Sequence, residues 1–331
     1  MSPLLSSIFS TGFAFAILRV MTPLLFPALG VAVSELAGSI NIALEGIMLM
    51  AAFFGVIVSA FTGSLFLALL AGLAAGILMG ALLAYFHLKM KADIILGAIA
   101  LNMFAAGMTI FLLFLFTGDK GSTSSLQSLV FPSIEIPLLK SIPILGAIFS
   151  GHNILTYVAL LSVPFFYVLM FKTPLGLRIR AVGQNPHAAE SVGINVDKIK
   201  LYALMLSGMF GALGGLYLSM GYVSWFSRDM TAGRGFIAIA AATLGGNLPL
   251  GVLLSSLLFG FVNSIAIYIA SLNVPSELIQ MIPYLVTLIA LAVFAMRAQR
   301  VKIKPGEVQE HFDEEAVRAV VKDVMKSGRE S

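Results

Sequence analysis

The sequence predicts an all-α polytopic membrane protein of about nine transmembrane helices, and three observations predict it. Apolar residues make up 59% of the chain and charged residues only 11%, with a mean hydropathy of +0.99. A soluble domain carries roughly a quarter charged residues. The apolar residues fall in runs near the roughly 20 that one crossing of the hydrocarbon requires. Lys and Arg concentrate in alternate connections between the runs, as they do in cytoplasmic loops.

In chain order the expected spans are 8–33, 42–60, 65–87, 92–117, 153–171, 199–223, 232–247, 250–271 and 276–298. The seventh is short and interrupted, and re-entry is an alternative to crossing. The first basic residue is Arg19, so the first run lacks the basic leader of a signal peptide and is expected to be a retained span. Placing 172–200 inside puts the N-terminus outside and the C-terminus in the cytoplasm. Inside connections then hold Lys89, Lys91, Lys172, Arg178, Arg180, Lys198, Lys200, Arg297, Arg300, Lys302 and Lys304. Outside segments hold Lys120, Lys140 and Arg228. This asymmetry supports the orientation.

Spans 1–4 and 6–9 run in opposite senses about span 5, which suggests an inverted repeat. Each half has a polar, Gly-interrupted approach to its second span, SELAGSINIALEG (Ser34–Gly46) and SRDMTAGRG (Ser227–Gly235). Paired interruptions of this kind point to a transport pathway at the repeat interface. Glycines punctuate span 3 (Gly72, Gly76, Gly80) and span 6 (Gly208, Gly211, Gly214, Gly215) at spacings that let helices approach closely.

Residues 1–300 thus form the transmembrane domain. Within it, 118–151 is a long external loop, with 133–137 extended, and 172–200 is a structured cytoplasmic loop. In that loop Asn185 suits an N-cap, Pro186 the first helical position, and Gly193 a left-handed helix end, which predicts a short helix over Pro186–Val192. The tail, 301–331, carries an amphipathic helix over Asp313–Lys326 that suits a cytoplasmic partner or the membrane surface, or idles.

The chemistry is sparse. The chain has no Cys, so disulfides and thiolate chemistry are excluded. It has no G-x-x-x-x-G-K-[ST] phosphate loop. His87, His152, His187 and His311 lie in separate elements, and neither a metal-ligand spacing nor a cofactor motif is present. The net charge of +4 is accounted for by the membrane loops and gives no reason to invoke nucleic acid. Polar residues inside spans are costly and mark either a pathway or a structural pairing. Asn41, Glu45, Asn102 and Asn263 are the pathway candidates, and Gln280 lies in the last span. The structural alternative pairs Arg19 with Glu45 or Glu35 and bonds the amides to neighbouring helices. Trp225 and Phe226 suit an interfacial aromatic belt, or stacking on a planar solute.

Three runs carry a family resemblance. GLRIRAVGQNPHAAESVGI (Gly176–Ile194) resembles the cytoplasmic signature of permease subunits of ATP-binding cassette importers in the branched-chain amino acid and ribose superfamily. GSINIALEGIMLM (Gly38–Met50) and DMTAGRGFIAIAA (Asp229–Ala241) resemble its simple-sugar and nucleoside branch, the former closer to nucleoside importers. The run TLGGNLPLG (Thr243–Gly251) departs from the basic or aromatic turn anticipated there. The resemblance implies a transport subunit without its own ATPase site, in the cytoplasmic membrane. It implies, as partners, ATP-binding cassette subunits, a second related permease in a heterodimer, an extracytoplasmic substrate-binding protein and membrane lipid. Arg180, Gly183, Asn185, Pro186, Ala188, Ala189 and Gly193 would then couple to the ATPase. A simple-sugar permease is the alternative within the superfamily. Outside it stand an ion-coupled secondary transporter built on Glu45 and, lacking any filter loop, a channel.

Overall fold

The computed structural model describes residues 10–126, 128–136 and 143–270, with isolated positions between 285 and 296. The chain divides into two compact units, Met1–Thr287 and Leu288–Ser331, and every element below belongs to the first. Most of the ninth span, with Gln280, and His311 and the amphipathic tail helix lie outside the described residues.

Among the described residues eleven α-helices follow in order: α1 (Thr11–Leu36), α2 (Leu44–Thr62), α3 (Leu65–Leu88), α4 (Ile94–Thr117), α5 (Pro143–Phe149), α6 (Ile154–Lys172), α7 (Pro174–Gln184), α8 (Pro186–Ser191), α9 (Val196–Tyr217), α10 (Arg234–Leu244) and α11 (Pro249–Ala270). Among the described residues seven helices are long and apolar enough to cross a membrane: α1, α2, α3, α4, α6, α11, and α9 with its continuation to Tyr222. α10 covers 11 residues, about 16 Å at 1.5 Å per residue, roughly half of a hydrocarbon core. The seventh expected span is therefore not a full helical crossing.

Local chemistry sets the helix ends. Ser10, Asp93, Asn153, Thr173, Asn185 and Asn195 each accept a hydrogen bond from a first-turn N–H of the helix that follows. Gly63 and Gly118 end α2 and α4 in the left-handed conformation that favours glycine.

α9 is central, packing on α1, α2, α3 and α7. Its glycines allow this. A β-carbon on Gly208 would strike the carbonyl of Gly76 on α3, and one on Gly215 the carbonyl of Met48 on α2. With no apolar driving force between helices in lipid, such contact lets dispersion hold the bundle. α9 ends in a π-helical segment, Leu218–Tyr222.

The long loop after α4 is more ordered than its composition suggests. Strand β1 (Ser133–Ile134) pairs antiparallel with β2 (His152–Asn153), Ser133 opposite Asn153 and Ile134 opposite His152. The extended stretch expected at 133–137 thus exists at its start, and α5 was not anticipated. The loop is also bonded to the segment after α9. Thr123 and Phe226 exchange two hydrogen bonds of 2.9 Å, through the Thr123 N–H and its Oγ1, and Arg228 N–H donates to Gly121 O at 2.8 Å. Phe226 is wholly buried, edge-on to Phe53 at 5.3 Å. It is a core residue rather than part of an aromatic belt. Trp225 beside it stays 42% exposed.

Candidate functional site

Between Leu36 and Leu44 the chain leaves helical geometry inside an otherwise apolar bundle, so its amide groups must find partners other than water. They find them in polar side chains. Asn41 is fully buried; its Oδ1 accepts from Ala43 N–H at 3.0 Å and its Nδ2 donates to Ser207 Oγ on α9 at 3.0 Å. Asn41 N–H donates to Ser34 Oγ at 3.1 Å. Asn102 on α4 accepts from Gly46 N–H at 2.8 Å and donates to Ile42 O at 3.0 Å. One amide side chain thus satisfies both a donor and an acceptor of the break.

Glu45, in the first turn of α2, closes the arrangement. Its two carboxylate oxygens accept from Gly233 N–H and Gly235 N–H, each at 2.7 Å. These amides form the start of α10, whose N-cap position is a glycine and offers no side-chain oxygen. Gly235 lies so close that a β-carbon would come within 2.5 Å of Glu45 N. The N-terminal ends of α2 and α10 therefore meet at one carboxylate. Each end carries about half a positive charge, and the carboxylate offsets both.

This arrangement joins the two polar interruptions, Ser34–Gly46 and Ser227–Gly235. It brings Asn41, Glu45 and Asn102 together. Asn263 stands apart. Its amide donates to Phe259 O one turn back in α11, at 3.0 Å, and among the described residues it joins no hydrogen bond of the junction. The ion pairs expected for Arg19 do not form. Arg19 donates to Tyr222 O at 3.1 Å with its guanidinium 4.3 Å from that ring. Glu45 is committed to α10, and Glu35 has a buried oxygen without a hydrogen-bond partner. Sequence reasoning missed Ser207, Gly233 and Gly235. A signal for the glycines was present: a short helix with no capping side chain of its own calls for a cap from elsewhere in the chain.

The second arrangement is the α7–α8 elbow. Thr173 caps α7 and Asn185 caps α8, accepting from Ala188 N–H at 3.1 Å with Pro186 at the first helical position. α8 ends one residue before the expected Val192, and Gly193 follows at φ +83°. α7 is a helix where the sequence suggests only loop. Gly183 packs on the end of α1, where a β-carbon would run into Leu36 O and come within 3.0 Å of Gly38 N. Gly38 holds φ +71°, reachable cheaply only without a side chain. Arg180 turns inward too, donating from Nε to Met170 O at 3.1 Å beside the Phe171 ring. Ala189 is buried. The outward surface of the elbow is His187, Ala188, Glu190, Ser191 and Val192, the last 76% exposed. Of the seven residues anticipated for coupling, Asn185, Pro186 and Gly193 shape the elbow, Arg180, Gly183 and Ala189 seat it, and Ala188 stands on its exposed side.

A family model described as branched-chain amino acid transport system / permease component matches residues 13–291. The chain is similar to the guanosine ABC transporter permease protein NupQ of Bacillus subtilis (strain 168), 38% identical over 292 residues, which cover 85% of this chain and 91% of that one. It is similar to the nucleoside ABC transporter permease protein NupC of Lactococcus lactis subsp. cremoris (strain MG1363), 36% identical over 288 residues, 84% and 90% of the two chains. A second Bacillus protein, the guanosine ABC transporter permease protein NupP, is 29% identical over 300 residues, 87% and 83% of the two chains. The family match takes in the helix break, the elbow and α10 together, and on it this multi-pass membrane chain belongs to the family of branched-chain amino acid transport system permease components.

Proposed function

We propose that the chain is the membrane-spanning subunit of an ATP-binding cassette importer and carries nucleosides across the cytoplasmic membrane. In this reading separate ATPase subunits dock on the exposed side of α8 from the cytoplasm. The observation that carries the mechanism is the contact of Gly183 with Leu36 and Gly38. A push on the elbow there bears directly on the break between α1 and α2, and through Glu45 on α10. Elbow, break and half-helix form one mechanical series with the polar junction at its inner end. Asn41, Glu45 and Asn102 would then set the shape of the pathway, with Asn263 a more distant contributor.

The remaining parts of the reading follow from the same frame. The N-terminus is external and the C-terminus cytoplasmic. The meeting of the N-terminal ends of α2 and α10 supports an inverted repeat over nine crossings, with the stretch through α10 counting as one. Similarity to two different Bacillus guanosine permeases favours a heterodimer of related permeases. An extracytoplasmic binding protein would deliver the solute.

The test is uptake of labelled guanosine, adenosine and ribose by cells expressing the chain with its genomic neighbours, with intact or catalytically dead ATPase. Nucleoside uptake that needs the live ATPase and is not competed by ribose supports the reading. Ribose competition moves the solute to simple sugars. Uptake indifferent to the ATPase overturns the mechanism in favour of an ion-coupled transporter.

A further inference from the structure

Arg19 sits in the third turn of α1, within an otherwise apolar stretch, and its side chain is exposed. A guanidinium facing hydrocarbon costs several kcal/mol, so this flank of α1 must face water or protein. A cavity of about 240 Å³ lies beside it. Its walls come from four regions: Phe15 and Arg19 on α1, Phe131 and Ser133 before and within β1, His152 on β2 and Tyr217 at the end of α9. The break from α-helix to π-helix occurs immediately after Tyr217, and Tyr222 at its end holds Arg19 in place. Such π segments recur at functional sites.

The wall chemistry is mixed in a particular way. Arg19 spends one N–H on Tyr222 O and has further donors. His152 Nε2 lies 2.8 Å from Ile148 O. A carbonyl can only accept, so Nε2 carries the proton and Nδ1 keeps a lone pair. The His152 ring stacks on Phe15, 3.9 Å between centroids and 9° from parallel. Ser133 adds a hydroxyl. The cavity thus combines donors, an acceptor and aromatic edges in a volume just under the roughly 300–1,000 Å³ of drug-sized sites. That suits one flat ring system better than a whole large solute.

We propose that this cavity is a solute subsite at the β1–β2 end of the bundle, and that it takes a neutral heteroaromatic ring bearing both donor and acceptor edges, the base of a nucleoside. The inference rests on the nucleoside reading above and adds the place where the base is held, lined by residues other than those of the Glu45 junction. Arg19 is the donor that selects the ring's carbonyl edge. Ser133 borders the space without being held in the core.

The experiment is photoaffinity labelling of the complete transporter in membranes with an azido-purine nucleoside, with the label mapped by mass spectrometry. The expected label falls on peptides containing Phe15–Arg19 and Phe131–Ser133 and is displaced by guanosine but not by ribose. Arg19→Met should lower it on the order of tenfold, the effect of losing one charged hydrogen bond. Ser133→Phe, which fills the space from an exposed position, should abolish it while the chain still reaches the membrane and retains its ATPase partner. Label that falls elsewhere, or survives Ser133→Phe, while wild-type guanosine uptake is intact, overturns the subsite and leaves the nucleoside reading standing. Absence of both label and guanosine uptake, with ribose uptake present, overturns both.

Discussion

The carboxylate of Glu45 accepts a hydrogen bond from the backbone N–H of Gly235, 190 residues away in sequence, at 2.7 Å. With the matching bond from Gly233, it is the only side chain among the described residues that hydrogen-bonds to the first-turn amides of α10. Glu45→Ala should leave two partly buried amides unpaired and destabilise the protein by about 3–6 kcal/mol, from hydrogen bonds to a charged group worth about 1.5–3 kcal/mol each. Glu45→Gln, which keeps one oxygen, should recover part of that. Thermal unfolding of the purified variants in detergent checks the order wild type, Gln, Ala. Equal stability of all three would remove the junction's structural role.

Asn102→Leu preserves size and removes both bonds to the break. It should cost about 1–3 kcal/mol through the unpaired Gly46 N–H and Ile42 O. Asn263→Leu, whose amide serves its own helix, should cost clearly less. Comparing the two under identical detergent and lipid conditions gives the answer.

On the elbow, inward and outward substitutions should behave differently. Gly183→Ala places a methyl against Leu36 O and should cost about 1–3 kcal/mol, lowering the yield of folded protein. Ala188→Arg and Val192→Asp, on the exposed side, should leave stability unchanged and lower ATPase co-purification and uptake at least about tenfold. Co-purification measured beside thermal stability separates seating from docking.

His152 gives a pH dependence. Burial holds its imidazole below its ordinary value of 6.5, against an upward pull from the bond to Ile148 O and with a lesser downward push from the nearby Arg19 charge. The folded chain therefore resists a proton that the unfolded chain accepts. Stability should be constant at pH 7 and above and should fall as pH drops through about 6.5. Melting temperatures between pH 8 and 5 test it, and His152→Gln should flatten that portion of the curve.

Much of this was legible in the sequence because it is encoded locally. Long apolar runs gave the seven long helices within a few residues at each end, and Asn185, Pro186 and Gly193 gave the elbow helix. The remainder depends on contacts between distant segments. α7 reads as loop because its Gly176 and its charges obscure a helical period that becomes evident only once Gly183 is seated against Leu36. Arg19 invited pairing with an acid by charge alone. The structure instead offers it a carbonyl and an aromatic face on Tyr222, freeing Glu45 for α10. The bonds of Thr123 with Phe226 join segments about a hundred residues apart and leave no local trace.

Those last bonds carry a consequence for handling the protein. α10 supplies only half a crossing, and the eleven residues before it, 223–233, have no helix to satisfy them. Part of their hydrogen bonding comes from Thr123 and Gly121 in the loop after α4. That loop is therefore a structural member of the bundle rather than a dispensable surface. An epitope tag or protease site placed at 121–126 should loosen the approach to α10, whereas one in an ordinary surface loop would go unnoticed. A hydropathy profile would register no change in either case.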